Sequence, residues 1–285
     1  SLSAIRDETT YTVEAVEQRS GEPGDIVVGI PAYNEEETIG DVVFSALSVA
    51  DSVLVVDDGS TDETAERAGA AGADVVSHTT NRGYGAALKT LFSTADAWDV
   101  SALVVIDADG QHDTADIPAL RRQQAEHGYD IVIGSRFTDM TDGNIPLLRR
   151  VGIRIVNMLT NLLLYSSPSR LWVTDAQSGF RVYGRTAITT LANTHRIGDN
   201  MASSTDILVA AANEGLEIGE VGITVKYDVA EPNTHNPIVH GMALINNIVR
   251  IIETEYPIKL LGVPGLIVLF AGLGFGYWTT LNYIE

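Results

Sequence analysis

Two carboxylates one residue apart, Asp107 and Asp109, follow the apolar run 102–106, where a predicted buried strand gives way to a loop. Carboxylate oxygens suit Mg²⁺ and Mn²⁺, and these ions commonly keep positions open for the phosphates of a bound nucleotide. Gln111 and Asp113 follow closely and can complete the coordination shell. An Asp-x-Asp pair alone equally fits a solvated turn, since loops are rich in aspartate. The surrounding sequence favours the metal site.

The apolar run before this aspartate pair belongs to a series of short apolar runs that each lead into a polar loop. The others cover residues 26–30, 52–56, 75–76 and 131–133, and helical patterns separate them. Short strands that alternate with helices indicate a parallel sheet with right-handed crossovers. In such sheets ligands bind outside the carboxyl ends of the strands. We therefore expect the polar loops to converge on one crevice that contains the aspartate pair.

Four of these loops resemble, in the same order, the motifs of the family-two nucleotide-sugar glycosyltransferases. They read Pro31-Ala32-Tyr33-Asn34-Glu35, Val56-Asp57-Asp58-Gly59-Ser60-Thr61-Asp62, Asn81-x-Gly83-x-Gly85-x-Ala87 and Asp107-Ala108-Asp109-Gly110-Gln111. The likeness extends from Asp25 to about Tyr227. Within the family, the chain looks most like enzymes that glycosylate dolichyl or undecaprenyl phosphate. That likeness rests on Gly134-Ser135-Arg136, on Asp175-Ala176-Gln177-Ser178-Gly179-Phe180-Arg181 and on an apolar tail.

The resemblance implies an α/β chain with the GT-A fold and a mainly parallel central sheet, a nucleotide-sugar donor and a Mg²⁺ or Mn²⁺ cofactor. It also implies roles for individual residues. Nucleotide-sugar binding falls on Pro31, Tyr33, Glu35, Asp57, Asp58, Gly83, Asp107 and Ala108, and metal binding on Asp109 and Gln111. The candidate catalytic residues are Asp107, Asp109, Asp175 and Arg181.

A window without acidic residues runs from Gly143 to Thr174 and contains several arginines. Apolar residues at helical spacing run beside them, which predicts an amphipathic helix with an arginine edge. Guanidinium groups bind phosphate in a bidentate manner, and such a helix suits the membrane interface, although a core helix with solvated arginines is the alternative. The candidate acceptor-phosphate ligands are Arg136, Arg149, Arg150, Arg154, Ser178 and His235.

The tail from 260 to 284 contains no charged residue. About 25 helical residues span roughly 37 Å, which exceeds the roughly 30 Å of a bilayer core. A transmembrane helix is predicted, with a buried core hairpin as the alternative. Arg250 and Lys259 precede it and favour a cytoplasmic catalytic domain at the cell membrane. The predicted divisions are a polar extension (1–24), the GT-A catalytic domain (25–228), a juxtamembrane amphipathic segment (229–257) and the transmembrane helix (258–285).

The composition is strongly acidic, with 38 Asp and Glu against 18 Lys and Arg and a net charge of -20. A dense acidic surface keeps proteins soluble in a high-salt cytoplasm, so we expect a halophilic archaeal source. Cysteine is absent from the sequence, which excludes disulfide and thiol chemistry. The first 24 residues have no apolar core segment, so we expect no signal peptide there. We expect no nucleic-acid partner either.

These features together predict an inverting hexosyltransferase that uses a nucleotide sugar, with UDP favoured, and dolichyl or polyprenyl phosphate as acceptor. A phosphate monoester is already a nucleophile at neutral pH, so no strong protein base is required. The alternatives are a transferase that extends a lipid-linked saccharide on a sugar hydroxyl, a GDP-mannose-using mannosyltransferase, and a noncatalytic scaffold. We expect His112, beside the aspartate pair, to be a loop residue rather than a metal ligand, because hard cations prefer oxygen ligands.

Overall fold

The computed structural model describes residues 26–136, 157–162, 164–165, 172–199, 203–223 and 262–284. The predicted extension 1–24 and juxtamembrane segment 229–257 lie outside these residues. So do four of the predicted phosphate ligands, Arg149, Arg150, Arg154 and His235.

The described part of the chain contains one seven-stranded sheet with helices on both faces. The strands are β1 (Ile26–Ala32), β2 (Ser52–Asp57), β3 (Asp74–Ser77), β4 (Ala102–Val105), β5 (Ile131–Ser135), β6 (Arg181–Gly184) and β7 (Ile218–Gly222). The helices are α1 (Ile39–Leu47), α2 (Thr64–Ala70), α3 (Tyr84–Ala97), α4 (Ile117–His127), α5 (Arg185–Ala192), α6 (Ser203–Asn213) and α7 (Val263–Ile284). Residues 157–162 and 164–165 are also helical.

The strand order is β3-β2-β1-β4-β6-β5-β7, and every neighbouring pair is parallel except those that involve β6. This arrangement confirms the predicted α/β fold with a mainly parallel sheet. The carboxyl ends of β1, β2, β4 and β5 therefore lie at one edge of the sheet, together with the amino end of the antiparallel β6. We call this edge the ligand edge.

The sheet forms because its strands are apolar on both faces, as strands of a parallel sheet covered by helices must be. All six residues of β2 are buried. On one face, Leu91 and Phe92 of α3 join the core, and Phe92 packs edge-to-face on Tyr183 of β6 at 4.9 Å between ring centroids. On the other face, Val43 of α1 and Leu120 of α4 complete a second core layer. The polar loops at the ligand edge thus rest on a rigid base.

The helix α7 has a 19-residue stretch, Gly265–Tyr283, that is long and apolar enough to cross a membrane by length and composition. Its large apolar side chains, such as Leu269, Phe270 and Trp278, are exposed to the surroundings rather than packed in a core. A buried core hairpin, the alternative interpretation of this tail, does not describe these residues. The helix lies within the predicted transmembrane segment 258–285.

Candidate active site

The aspartate pair, Asp107 and Asp109, directly follows β4 at the ligand edge, as the sequence predicted. Ala108 between them is buried against the sheet, which separates the two carboxylates from the core. The Asp107 carboxylate accepts a hydrogen bond from the Tyr84 hydroxyl at 3.3 Å, and its other oxygen lies 3.1 Å from His112 Nε2. About a third of the Asp107 side chain (33%) remains exposed. Asp107 is therefore held in one orientation with part of its surface open to a ligand.

His112 lies in the loop after β4, and its contact with Asp107 gives it a supporting role that the sequence analysis did not predict. Its side chain is almost buried, and the ring packs against Phe180 at 5.3 Å between centroids. One ring nitrogen faces Asp107, and Nδ1 is buried without a hydrogen-bond partner among the described residues. His112 thus belongs to the site as a support of Asp107.

Gly179 approaches the Asp107 carboxylate from the loop before β6. A Cβ atom at this position would lie 2.4 Å from Asp107 Oδ2 and 2.6 Å from Oδ1, closer than real Cβ contacts come. Only glycine leaves room for the carboxylate in its observed place. Sequence reasoning singled out the segment around Gly179 but not this steric role. Tyr84 was also missed, although it stands between the two glycines of the third motif.

The carboxyl groups of the site have opposite pKa shifts. Burial raises the pKa of Asp109, and the charge of Asp107 raises it further, against a hydrogen bond from the Gln111 backbone N–H. Burial would also raise the pKa of Asp107. Hydrogen bonds from His112 and Tyr84 and the charge of Arg136 outweigh burial, so that the pKa of Asp107 is lowered. Asp107 hence ionises more readily than an ordinary aspartate. The negative charge of Asp109 is disfavoured, because nearby groups do not fully offset burial and the charge of Asp107.

Glu35, in the loop after β1, shares this acidic environment. Burial raises the pKa of Glu35, and a hydrogen bond from Thr38 offsets this only in part. The charges of Asp109 and Asp107 raise it further. Asp109 and Glu35 thus ionise less readily in the field of the neighbouring carboxylates, and a divalent cation would relieve that repulsion.

The donor set fits a hard cation. Asp109 and Gln111 would hold it, as the resemblance implied, and carboxylate and amide oxygens are suitable ligands. No group of three His, Cys, Asp or Glu residues arranged to hold a metal is found among the described residues. An ion at Asp109 would therefore complete its shell with water and with phosphates of the donor, as Mg²⁺ commonly does.

Replacing Glu35 by glutamine should stabilise the metal-free protein at neutral pH. As pH rises, the unfolded chain loses the Glu35 proton before the folded protein does, because the folded-state pKa is the higher one. Stability therefore falls between the ordinary carboxyl pKa of about 4 and the raised pKa, and the deficit persists above both. Glutamine removes this deficit and still accepts from Thr38. Urea unfolding in EDTA should show the gain at neutral pH and none below the ordinary pKa; a gain at both pH values would contradict the electrostatic cause.

The loops after β1 and β2 are tied together by hydrogen bonds between their backbones and side chains. Asn34 accepts from the Thr61 backbone N–H at 2.9 Å and donates its own N–H to Ser60 Oγ at 2.9 Å. Asp57 accepts from the Ser60 N–H at 3.2 Å. Of the predicted nucleotide ligands here, Tyr33 is 44% exposed at the ligand edge, whereas Pro31 is buried within β1. Their binding roles stay predictions.

Asp58, another predicted nucleotide ligand, is buried and bound entirely to protein groups. It lies 2.6 Å from His78 Nδ1 and accepts from the backbone N–H groups of Arg82 and Gly83 at 3.0 and 2.7 Å. His78 in turn contacts Thr90 Oγ1 at 2.9 Å. Gly83 has φ 98°, which favours glycine, and it starts α3 directly before Tyr84. Asp58 therefore shapes the loop that presents Tyr84 to Asp107.

Truncating Asp58 to alanine should lower the free energy of unfolding by about 2 to 3 kcal/mol, because it leaves buried donors without an acceptor. Urea denaturation measures the change. Asp51→Ala is the matched control, since Asp51 also accepts a backbone N–H, that of Ile26, but at an exposed position. The control should lose less than about 1 kcal/mol. An equal loss of unfolding free energy in both variants would show that the buried hydrogen bonds of Asp58 stabilise the protein no more than the exposed bond of Asp51.

On the other side of the aspartate pair, Arg136 forms a bidentate ion pair with Asp175. Arg136 Nε and Nη2 lie 2.7 and 2.8 Å from the two carboxylate oxygens, and the Arg136 backbone N–H donates to the same group at 3.1 Å. Asp175 is completely buried, whereas the Arg136 side chain is 21% exposed. Asp175 therefore orients an arginine whose charge lies close enough to Asp107 to lower its pKa.

Two further predicted site residues, Ser178 and Arg181, bind backbone carbonyl groups near Arg136 and Asp175. Ser178 is buried and donates to the Gly134 carbonyl at 2.6 Å. Arg181 is 1% exposed and donates to the carbonyls of Ser204 and Ala176 at 3.0 and 2.8 Å. Like Asp175, both are held by protein groups in this structure, and their predicted roles in catalysis and acceptor binding stay predictions.

Comparison with known proteins agrees with this geometry. Residues 27–189 match the family model described as glycosyl transferase family 2. The UDP-N-acetylglucosamine–dolichyl-phosphate N-acetylglucosaminyltransferase of Methanococcus voltae is 30% identical over 217 residues, which cover 70% of this chain and 84% of that protein. The dolichyl-phosphate hexose transferase of the haloarchaeon Haloferax volcanii is 28% identical over 233 residues, 81% of this chain and 95% of that protein.

Among solved structures, the glucosyl-3-phosphoglycerate synthase of Mycobacterium tuberculosis has the same fold. Its complex with Mg²⁺ and UDP superposes with a TM-score of 0.59 and 24% identity, covering 79% of this chain and 76% of that one. The same enzyme is also known with Mn²⁺ and UDP. The family match covers more than half of this chain, and the motifs that carry it converge at the ligand edge. The chain therefore belongs to glycosyl transferase family 2.

Proposed function

We propose that this protein is a membrane-bound, metal-dependent inverting glycosyltransferase that moves a hexose from a nucleotide sugar, with UDP-sugar favoured, to dolichyl or another polyprenyl phosphate. The product would serve protein or cell-surface glycosylation. The observation that carries the proposal is the position of Arg136, a partly exposed cation beside the aspartate pair. It provides a place for an acceptor anion next to the expected position of the donor diphosphate.

The proposed nucleotide-sugar donor is supported by the loops after β1, β2 and β4, which all lie at the ligand edge. We infer that Tyr33, Glu35 and Asp57 contact the nucleoside and that Asp107 lies beside its ribose and diphosphate. Asp109 and Gln111 would hold the divalent ion. When bound, such an ion supplies positive charge that stabilises the departing nucleoside diphosphate.

The proposed phosphate acceptor is supported by its own negative charge and by the positive charge of Arg136. A phosphate monoester has a second pKa of about 6, so it attacks the anomeric carbon without a strong protein base. Direct displacement by its oxygen would invert that carbon. What this acceptor requires is a cation to dock it, and a guanidinium does so with two parallel hydrogen bonds. Arg136 is the described candidate, and Arg149, Arg150, Arg154 and His235 are the candidates outside the described residues.

The membrane side is supported by α7 and by the dolichyl-phosphate acceptors in the names of two relatives. A polyprenyl chain stays in the bilayer, so an enzyme that uses it must work at the membrane surface. We propose that α7 anchors the protein in the cell membrane with the catalytic domain on the cytoplasmic side.

A donor panel tests the proposal. Purified full-length chain in lipid nanodiscs, assayed in molar KCl with Mn²⁺, would receive UDP-glucose, UDP-galactose, UDP-N-acetylglucosamine or GDP-mannose. Each donor would be offered with dolichyl phosphate, with dolichol or with a lipid-linked sugar, and mass spectrometry would identify the lipid product. We expect a glycosylated dolichyl phosphate from one UDP-sugar and no product from dolichol. Product from GDP-mannose alone would correct the donor, and product only from the lipid-linked sugar would overturn the acceptor assignment.

A further inference from the structure

The segment 173–176, which carries Asp175, is held by side chains instead of by a neighbouring strand. Asn161 binds both polar groups of the Val173 backbone, with Oδ1 at 2.8 Å from the N–H and Nδ2 at 2.7 Å from the carbonyl. Asn157 donates to the Thr174 carbonyl at 2.6 Å and accepts from the Ala176 N–H at 3.2 Å. Two asparagine amides thus fix the backbone on both sides of Asp175.

Glu220 and Arg181 bind further polar groups of this segment, and the Asp175 carbonyl accepts from the Ser178 N–H at 3.4 Å. Glu220, from β7, accepts from the N–H groups of Thr174 at 2.8 Å and Asp175 at 3.0 Å. Arg181 donates to the Ala176 carbonyl at 2.8 Å. Four side chains from three separate parts of the chain therefore hold this short backbone stretch. Such a complete set of bonds leaves Asp175 little freedom to move.

The helical residues that supply the two asparagines bury Asn161 together with Leu164, leave Asn157 half-buried and expose large apolar side chains. Asn157 and Asn161 are spaced by four residues, so they lie on one face of the helix, and that face covers segment 173–176. Met158, Leu162 and Tyr165 are 59%, 46% and 58% exposed. A helix on the surface of a soluble domain usually has polar residues on its outward face. The inward amides are thus placed for hydrogen bonding to this one segment, while the outward face suits contact with lipid.

A series of hydrogen bonds runs from these amides to Arg136, whose charge acts on the aspartate pair. Asn157 and Asn161 fix the backbone around Asp175, and the Asp175 carboxylate binds Arg136 through two side-chain bonds and one backbone bond. The charge of Arg136 in turn reaches Asp107. A displacement of segment 173–176 would therefore move the guanidinium relative to the site.

We propose that Asn157 and Asn161 are positioning residues for glycosyl transfer, which hold segment 173–176 so that Asp175 aims Arg136 at the phosphate of a lipid phosphomonoester. The inference rests on the proposed function for the identity of the acceptor. It assigns the two amides an action through Arg136 and no contact with the substrate.

The test uses Asn157→Asp and Asn161→Asp in the full chain. Aspartate has nearly the same shape, but it cannot donate to the backbone carbonyl and places negative charge against it. We expect kcat/KM for dolichyl phosphate to fall on the order of tenfold to a hundredfold in Asn161→Asp, the range for an unmet buried hydrogen bond. The fall should be smaller in Asn157→Asp, whose bond to the Thr174 carbonyl is exposed. The Kd for UDP with Mn²⁺ should stay unchanged. Asn193→Asp is the matched control, because Asn193 also donates to a carbonyl, that of Thr189, at an exposed helix end.

A double-mutant cycle with Arg136→Ala separates positioning from simple stability. If the amides act through Arg136, Asn157→Asp should cost little more once the guanidinium is gone. A full, additive loss in the Arg136→Ala background would overturn the inference. So would a parallel loss of UDP binding together with a lower Tm, since that pattern describes a structural role.

Hydrogen exchange keeps this inference separate from the proposed function. Asn157→Asp should accelerate exchange of the amides of 173–176 and of Arg136 relative to wild type and to Asn193→Asp, whatever the acceptor is. Wild-type protein that fails to glycosylate dolichyl phosphate would overturn the proposed function alone. Unchanged exchange at these amides would overturn the positioning role alone.

Discussion

Replacing Asp109 by asparagine should lower turnover by roughly 10³-fold, the upper range for loss of one group that stabilises charge in a transition state. Asp109 is the carboxylate whose pKa burial and Asp107 raise, so its charge is the one that a cation would compensate. Asparagine keeps the acceptor for the Gln111 N–H but loses that charge. Steady-state turnover and Mn²⁺ titration by calorimetry measure the effect, and we expect metal binding to weaken with turnover.

The fold of this variant should remain intact. Because the charged carboxylate is disfavoured in the folded protein, Asp109→Asn should resist urea at least as well as wild type at neutral pH without metal. Asp51→Asn, at the opposite edge of the sheet, is the control and should retain wild-type turnover. Near-normal turnover of Asp109→Asn with unchanged Mn²⁺ affinity would refute the metal assignment.

Adding a single methyl group at Gly179 should lower turnover by about a hundredfold, because a displacement of about 1 Å in a catalytic site can cost that much. The new Cβ would occupy the place of the Asp107 carboxylate, at 2.4 Å from Oδ2. Asp107 is short and is held by Tyr84 and His112, so it cannot turn away without losing those bonds. We expect weaker UDP binding together with the loss of turnover.

Gly40→Ala is the control for this substitution. Gly40 lies in α1 with nothing within 4 Å of an added Cβ. That variant should keep its turnover and gain up to about 1 kcal/mol in stability, as alanine does in a helix. Wild-type turnover in Gly179→Ala would show that the position of the Asp107 carboxylate does not limit the reaction.

Both predictions concern a site that combines several carboxyl groups with an arginine oriented by a buried aspartate. Asp109 and Glu35 share a region where carboxyl groups resist ionisation. Arg136 is fixed by a buried carboxylate, and its charge lowers the pKa of Asp107. The proposed reaction brings two anionic groups to this site, and we expect the cation-bound diphosphate at Asp109 and the anionic acceptor at Arg136.

Local sequence patterns were sufficient to predict the sheet, the ligand edge and the aspartate pair. An apolar run that ends in a polar loop indicates a strand covered by helices on both faces. When such strands are parallel, the loops after them lie at the same edge of the sheet, whichever contacts their side chains make. The four motifs and the apolar tail therefore predicted the family, the α/β architecture and the helix α7. The antiparallel strand β6 was not among the predicted strands, because its four residues form no apolar run that leads into a polar loop.

The partners of individual side chains were decided only by tertiary structure. Asp58 and Asp175 belong to recognisable motifs, yet one binds a loop and a histidine 20 residues away, and the other binds an arginine 39 residues away. Tyr84, His112 and Gly179 surround one carboxylate although they come from three separate parts of the chain. A motif specifies residue types at short range, whereas hydrogen bonds and steric limits of this kind arise where distant loops cross. The sequence thus determined which chemical groups this protein has at the ligand edge, and folding determined which of those groups contact one another.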